Sequence, residues 1–329
     1  MGFLASLVIG FSSAFIFAIF VYWLDRYEKE PKFLLGIVFF WGAFIASAVA
    51  FVINTAFGVS IYALTGSQGA ADISTGALSA PFIEELMKAA AVFGVYIFCR
   101  SEFDSILDGI VYASIVALGF AATENTYYIY HYGHLENGWS GLFSLTFIRI
   151  ILVGWQHPFF TSFLGISLAI SRYSRGAIKK IGVPFIGLSF SIFTHSLHNL
   201  MTNLVSGSSS FWVTTFFDWT GWIALLIFIL FTIAQERKLL KDSLWGEVKN
   251  GSITQMQYKV VTTNTGRFNA RMKGLVKGKL KSTNRFMQIA SELGHKKHQI
   301  QKMGNEKENY KIADSLRAEL VSLSQEISL

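Results

Sequence analysis

The chain has 329 residues, of which 52% are hydrophobic and 15% charged, with a formal net charge of +7. The apolar excess fills the first ~235 residues and ordinary polar sequence follows, which excludes a single soluble domain and points to a membrane domain with a soluble tail. A lone cysteine, Cys99, excludes an intramolecular disulfide and reads as a small buried hydrophobe.

A bilayer core needs roughly 20 apolar residues of helix, because lipid cannot pair backbone polar groups. The first such run, near 3–23, lacks a basic leader. It is followed by Asp25 and Arg26, not by a small-residue cleavage site, so it is expected to be a retained span. Further runs fall near 34–57, 77–98, 105–130, 141–171, 182–204 and 212–234. The fifth is long and carries Gly154 and Pro158, which suits either one kinked helix or two short ones. Loop charges decide between these. There are three Lys and Arg in 24–33, none in 58–76, one in 99–104, none in 131–140, four in 172–181 and none in 205–211. The alternation is regular only if 141–171 crosses once. The positive-inside rule then gives about seven spans, with the N-terminus outside and the tail in the cytoplasm.

Residues 235–329 hold 18 Lys and Arg against nine Asp and Glu. A basic segment beside a membrane is expected to meet anionic lipid. No recognition motif accompanies the charge, so no nucleic-acid partner is expected. Leu316, Leu320, Leu323 and Ile327 recur at helical spacing, as do Phe286, Ile289 and Leu293, with Gly294 and Gly304 as breaks. The stretch GLVKGKLKS lacks the spacing of a phosphate-binding loop. The expected architecture is an all-α polytopic membrane bundle over 1–235 and a small basic helical tail over 236–329.

Ionisable groups inside spans cost at least ~2.5–3.5 kcal/mol each on insertion scales, so each is a functional candidate. Those singled out are Glu84, Glu85 and Lys88 in the third run, Glu124 in the fourth, Arg149 and His157 in the fifth, and His195 and His198 in the sixth. Asn125, Tyr128 and Asn199 accompany them. Lys88 is four residues from Glu84 and three from Glu85, so it can reach either carboxylate on one helix. Phe120, Glu124 and Tyr128 share a face, as do His195 and Asn199. Glu84, Glu124, His195 and Asn199 lie about five to nine residues from the outer ends of their spans, or roughly 5–15 Å deep at 1.5 Å per residue. Three helices of alternating direction thus present polar groups at one level. Arg149 and His198 read more simply as structural partners of neighbouring helices.

These residues resemble the PrsW family of intramembrane proteases, grouped with CAAX-processing and bacteriocin-processing enzymes. Glu84-Glu85-x-x-Lys88 resembles its E-E-x-x-K motif, and Phe120-x-x-x-Glu124-Asn125 its second motif. His157-Pro-Phe-Phe-Thr161 with Gly165 beyond resembles the third, and His195-x-x-x-Asn199 the last. The loop from Asp25 to Lys32 also resembles the family's first cytoplasmic loop. The resemblance covers about residues 15–205 and leaves out the tail. The wider superfamily usually has histidine where this chain has Glu124, so His157 or His195 must supply the imidazole.

The expected chemistry is peptide hydrolysis within the bilayer. An amide needs an activated water, an oxyanion stabiliser and an acid for the leaving amine. No serine or cysteine sits in a convincing constellation with a buried histidine, which argues against a covalent nucleophile. Glu84 is expected as general base, with Lys88 holding Glu85 ionised. Glu124 and a histidine complete water activation, and His195 and Asn199 donate to the oxyanion. This reading needs no cofactor. Its close rival is a Zn²⁺ site drawn from Glu84, Glu124, His157 and His195, although H-E-x-x-H spacing is absent. A transporter or proton relay would also use such groups, but no inverted repeat is evident. A scaffold binding another membrane protein through a polar groove is a third reading. The depth of the site implies a single-span membrane substrate that unwinds near its outer end, the resemblance implies a regulatory target such as an anti-sigma factor, and the expected location is a bacterial plasma membrane.

Overall fold

A computed structural model describes residues 1–204, 208–305 and 308–327. Residues 205–207 of the uncharged 205–211 loop lie outside these. Among the described residues there are helices and no strand. Two compact units form. The first comprises Met1–Leu24 and Glu30–Phe228, the second Asp25–Lys29 and Ile229–Leu329.

The first unit begins with α1, Gly2–Leu24. α2, Lys32–Phe40, runs through a π-helical turn at Trp41–Ala46 into α3, Ser47–Thr65. The short α4, Gln68–Ser74, and a second π-helical turn at Thr75–Ser79 lead into α5, Ala80–Phe98. α6 spans Ile106–Tyr128 and starts at a capping box, in which Ser105 and Asp108 each bond the other's backbone N–H. α7, Glu136–Thr146, a π-helical Phe147–Leu152 and α8, Gln156–Arg172, follow. α9 is Ala177–Leu204 and α10 is Ser208–Lys249. Five stretches are long and apolar enough to cross a membrane: Gly2–Leu24, Lys32–Thr65, Ile106–Arg172, Ala177–Thr202 and Trp212–Lys249. The third of these is a hairpin, α6 followed by α7 and α8. α5 is 19 residues long but carries three charges.

α6 is the central helix, and every residue from Leu107 to Ala122 is buried. Glycines let its neighbours approach closely, as small residues do where lipid supplies no hydrophobic drive between helices. A Cβ at Gly42 would lie 2.1 Å from the Val116 carbonyl oxygen, and one at Gly119 2.0 Å from that of Phe39. On the other side Gly109 meets Gly165 of α8 backbone to backbone. α7 and α8 run antiparallel to α6, with Gly141 beside Gly133 and Gly165 beside Gly109. The 136–172 segment therefore runs in one direction along α6, with a break at 153–155, just before Pro158, where the proline ring suits the first turn of α8.

In the second unit α10 continues to Lys249. It is followed by α11, Gln255–Val261, α12, Asn264–Val276, α13, Leu280–Met303, and α14, Asn309–Glu326. Leu240, Leu244, Phe286, Ile289, Leu293 and Leu320 form its buried core. Gly304 ends α13 with φ of 73°. Gly294 breaks nothing. It lies inside α13 because its bare face abuts the Leu240 side chain. Cys99 is half-buried at the end of α5 and not sealed in a core. Residues 25–29 belong to this unit because buried Arg267 grips them. Its Nη1 donates to the carbonyls of Arg26 at 3.0 Å and Tyr27 at 2.9 Å, and its guanidinium lies over the Tyr27 ring.

Glu247 ties α10 to α13 and α14. Burial alone would raise its carboxyl, but hydrogen bonds from Arg317 and Lys297 outweigh burial and hold it at about 2. Its pKa is depressed on folding, so the stability it confers is complete above its ordinary 4.5 and is lost as pH falls toward 2. Thermal unfolding followed near Trp245 is expected to show a drop in midpoint across that window. The drop should be smaller in Glu247→Gln; an identical profile would remove this ion pair from the tail's acid sensitivity.

Candidate active site

Four helices converge on one polar cluster. α5 contributes Glu84, Glu85 and Lys88 from consecutive turns of its inner face, all buried. α6 contributes Glu124 and Asn125, α8 contributes His157 and Thr161, and α9 contributes His195.

Glu85 is the hub. It accepts from Lys88 Nζ at 2.8 Å, from Thr161 Oγ1 at 2.8 Å and from His195 Nδ1 at 3.0 Å. A carboxylate can only accept, so the His195 proton is on Nδ1 and its Nε2 carries a lone pair. That Nε2 lies 3.8 Å from Glu84 Oε2, too far for a direct bond. One small oxygen or ion can touch both atoms. Glu84 Oε2 is buried without a hydrogen-bond partner, although Lys88 Nζ stands 3.8 Å away. A buried carboxylate oxygen left so carries a large desolvation cost, which marks it as a position that awaits a ligand.

His157 is fixed from both sides. Lys88 Nζ, which can only donate, faces its Nδ1 at 3.2 Å, and its Nε2 donates to Glu124 Oε2 at 2.8 Å. Glu124 is held in turn by Arg149 Nη2 at 2.6 Å, while Arg149 Nε donates to Asn125 Oδ1 at 2.7 Å. The π-helical turn before α8 aims Arg149 at α6, and the Tyr128 ring lies 4.1 Å beneath the guanidinium. Lys88 also sits over the Phe120 ring at 4.3 Å. Its ammonium is thus spread over two glutamates, a histidine and an aromatic face, which permits a fully buried lysine.

Asn199 stands apart from this cluster. Its Nδ2 donates to the Gly76 carbonyl at 2.8 Å, tying α9 to the π-helical turn before α5. That bond gives Asn199 a backbone-anchoring position and engages one of its two amide hydrogens, so donation to an oxyanion would fall to the other. Tyr128 touches Arg149, not the carboxylates. Sequence reasoning missed Asp218, which is buried on α10. It accepts from His198 Nδ1 at 3.0 Å and from Gln156 Nε2, the residue before His157. Asp218 was legible as a single acid inside the 212–234 apolar run, by the same insertion cost that marks Glu124. Phe160, stacked on His195 at 4.8 Å, separates this second cluster from the first.

Ligand atoms of Glu84, His157 and His195 lie within 4.8 Å of one another, close enough for one metal ion. Glu124 is not among them and contacts His157 as an orienting carboxylate. A profile described as PrsW family intramembrane metalloprotease matches residues 30–235. The chain belongs to the PrsW family. It is 26% identical over 201 residues to Protease PrsW of Bacillus subtilis, covering 61% of this chain and 78% of that protein. It is 28% identical over 161 residues to Protease PrsW of Geobacillus kaustophilus, covering 49% and 63%. Over 209 residues it is 28% identical to Protease PrsW of Oceanobacillus iheyensis, covering 63% and 86%. No solved structure matches the chain. As a PrsW-family member it is a multi-pass membrane protease, and all four helices of the cluster lie inside the matched segment.

Arg149 reaches the cluster through Glu124 and Asn125. Arg149→Ala is expected to lower kcat about 10- to 100-fold with little change in KM, the usual range for groups that orient a ligand or base. Arg149→Lys should recover part of the loss, because it keeps charge but not the two-pronged grip on Glu124 and Asn125. An unchanged kcat in Arg149→Ala would make this pair purely structural.

Proposed function

We propose that the chain hydrolyses a peptide bond in or near the outer end of a single-span membrane protein, using water activated between Glu84 and His195. The observation that carries this reading is the unpaired, buried Glu84 Oε2 facing His195 Nε2 at 3.8 Å. Glu84 takes a proton from the water, whose oxygen attacks the scissile carbonyl. The amide C–N bond then breaks, and the proton passes to the leaving amine. Glu85 fixes the His195 tautomer and position, and Glu124 does the same for His157. Lys88 keeps Glu85 charged.

The residues also fit a divalent cation such as Zn²⁺. Glu84 offers an oxygen with no other partner, and each histidine has its second nitrogen on a carboxylate, the arrangement that orients metal-ligating imidazoles. Glu84, His195 and His157 would hold the ion, with His157 exchanging its Lys88 contact for it. Bound there, the ion would polarise the carbonyl and acidify its water. The metal-free reading draws support from Lys88, whose ammonium already supplies positive charge among the same groups.

The loop charges support an outside N-terminus and a cytoplasmic tail, and the bacterial relatives support a bacterial plasma membrane location. The substrate must present unwound backbone, because a helix satisfies its own amides. An anti-sigma factor as target rests on family resemblance alone. The test is co-expression with tagged single-span proteins and mass-spectrometric mapping of new termini. Cuts near the outer end of the span, absent with Glu84→Ala, are expected. A cut deep in the cytoplasmic half would overturn the depth assignment. Purified protein carrying stoichiometric zinc that His195→Ala loses would decide for the metal; full turnover in metal-free protein would decide against it.

A further inference from the structure

One face of α12 has no cover within its own unit. Arg267, Ala270 and Gly274 point inward and are buried. On the other side Phe268, Met272, Leu275 and Val276 are 62%, 45%, 58% and 84% exposed. At 3.6 residues per turn these four span an arc of about 100°. Arg271 flanks the arc on one side and Lys273 on the other, with exposed Lys277 and Lys281 just beyond the helix end. From Val248 to Ser291 the chain has nine Lys and Arg and not one Asp or Glu. Arg267 is buried on carbonyls, Arg271 bonds Asn284, Lys279 bonds the Glu326 carbonyl and Arg285 pairs with Glu319, while Lys273 and Lys281 form no ion pair among the described residues.

An apolar arc between basic flanks, on a helix with no acid, is the composition of an element that lies in a membrane interface. A soluble protein partner would need acidic complement on both flanks and an apolar ridge between them. An anionic leaflet offers both at once, with acyl chains beneath a layer of phosphates. The helix is tied to chain segments that neighbour apolar runs in the sequence. Arg267 of α12 holds the carbonyls of Arg26 and Tyr27, and Tyr27 follows the last residue of α1 by three positions. The apolar stretch of α10 also runs without interruption into this unit.

We propose that α12 is an interfacial anchor for anionic lipid. Phe268, Met272, Leu275 and Val276 enter the acyl boundary, and Lys273 and Lys281 meet lipid phosphates. This goes beyond the proteolytic reading, since it concerns a helix outside the family-matched segment.

The test uses the full chain with Cys99→Ala and Met272→Cys carrying an environment-sensitive fluorophore. It is placed in nanodiscs of phosphatidylcholine alone or of an equal mixture with phosphatidylglycerol. In anionic discs the emission is expected to shift to the blue and to be quenched by spin-labelled lipid; in neutral discs both effects should be weak. Lys273→Gln and Lys281→Gln should each lower the docked-to-undocked ratio about five-fold, the effect of one basic residue near an anionic surface. Blue emission that lipid-borne quencher does not reach would mean that protein covers the stripe and would overturn the proposal. Quenching of equal strength in both kinds of disc would overturn it too. The readout does not depend on cleavage, so failure of the proteolytic reading leaves it intact.

Discussion

Glu84→Gln is expected to reduce cleavage of a single-span reporter by about 10³-fold, the middle of the range that one general base contributes. The substitution keeps size and shape and removes the ability to accept a proton. It also exchanges a buried charge for a neutral amide, so insertion and folding should not suffer. Lys88 retains its closer partner, Glu85, at 2.8 Å and loses only the 3.8 Å contact. Glu85→Gln should behave differently. It weakens three hydrogen bonds together and leaves Lys88 buried without its counter-charge, a change that costs about 3–5 kcal/mol in comparable pairs. Loss of folded protein is the expected result there. Two adjacent glutamates thus have separate duties, which single-turnover assays beside thermal melts can resolve. Turnover in Glu84→Gln above a tenth of wild type would remove Glu84 from the role of base.

Much of this division was legible in the sequence, and its limits are physical. Charges inside apolar runs are costly, so Glu84, Glu85, Lys88 and Glu124 announce themselves. The motif order also places Glu124 on a different helix from the other three. Periodicity, however, reports which face a residue occupies and not what it touches. His195 and Asn199 share a face, yet four residues of helix separate them by about 6 Å along the axis, and Asn199 reaches Gly76 instead. The 3.0 Å bond between His195 and Glu85 joins residues 110 positions apart, beyond any local signal. The grouping of residues 25–29 with the C-terminal unit was hidden for the same reason, since it depends on Arg267. Gly294 misled because a glycine that admits a neighbouring side chain looks the same in sequence as one that ends a helix.

Gly165→Ala is expected to cost at least about 100-fold in turnover although the residue touches no reacting group. The added Cβ would lie 2.0 Å from the Gly109 carbonyl oxygen and 2.5 Å from its carbon. Backbone of a neighbouring helix cannot rotate aside as a side chain can, so α6 and α8 must separate or slide. Glu124 is on one of these helices and His157 on the other, joined at 2.8 Å. Separation by about 1 Å breaks that bond and turns the imidazole away from Glu84, and displacements of this size cost two orders of magnitude in rate. The protein should still insert, because alanine suits a bilayer and the apolar runs are unaltered. Gly182→Ala on α9, where an added Cβ meets nothing within 4 Å, is the matched control and should be silent. Reporter cleavage by the two variants, each normalised to inserted protein, gives the answer. Wild-type turnover in Gly165→Ala would show that the α6–α8 contact does not set the distance between Glu124 and His157.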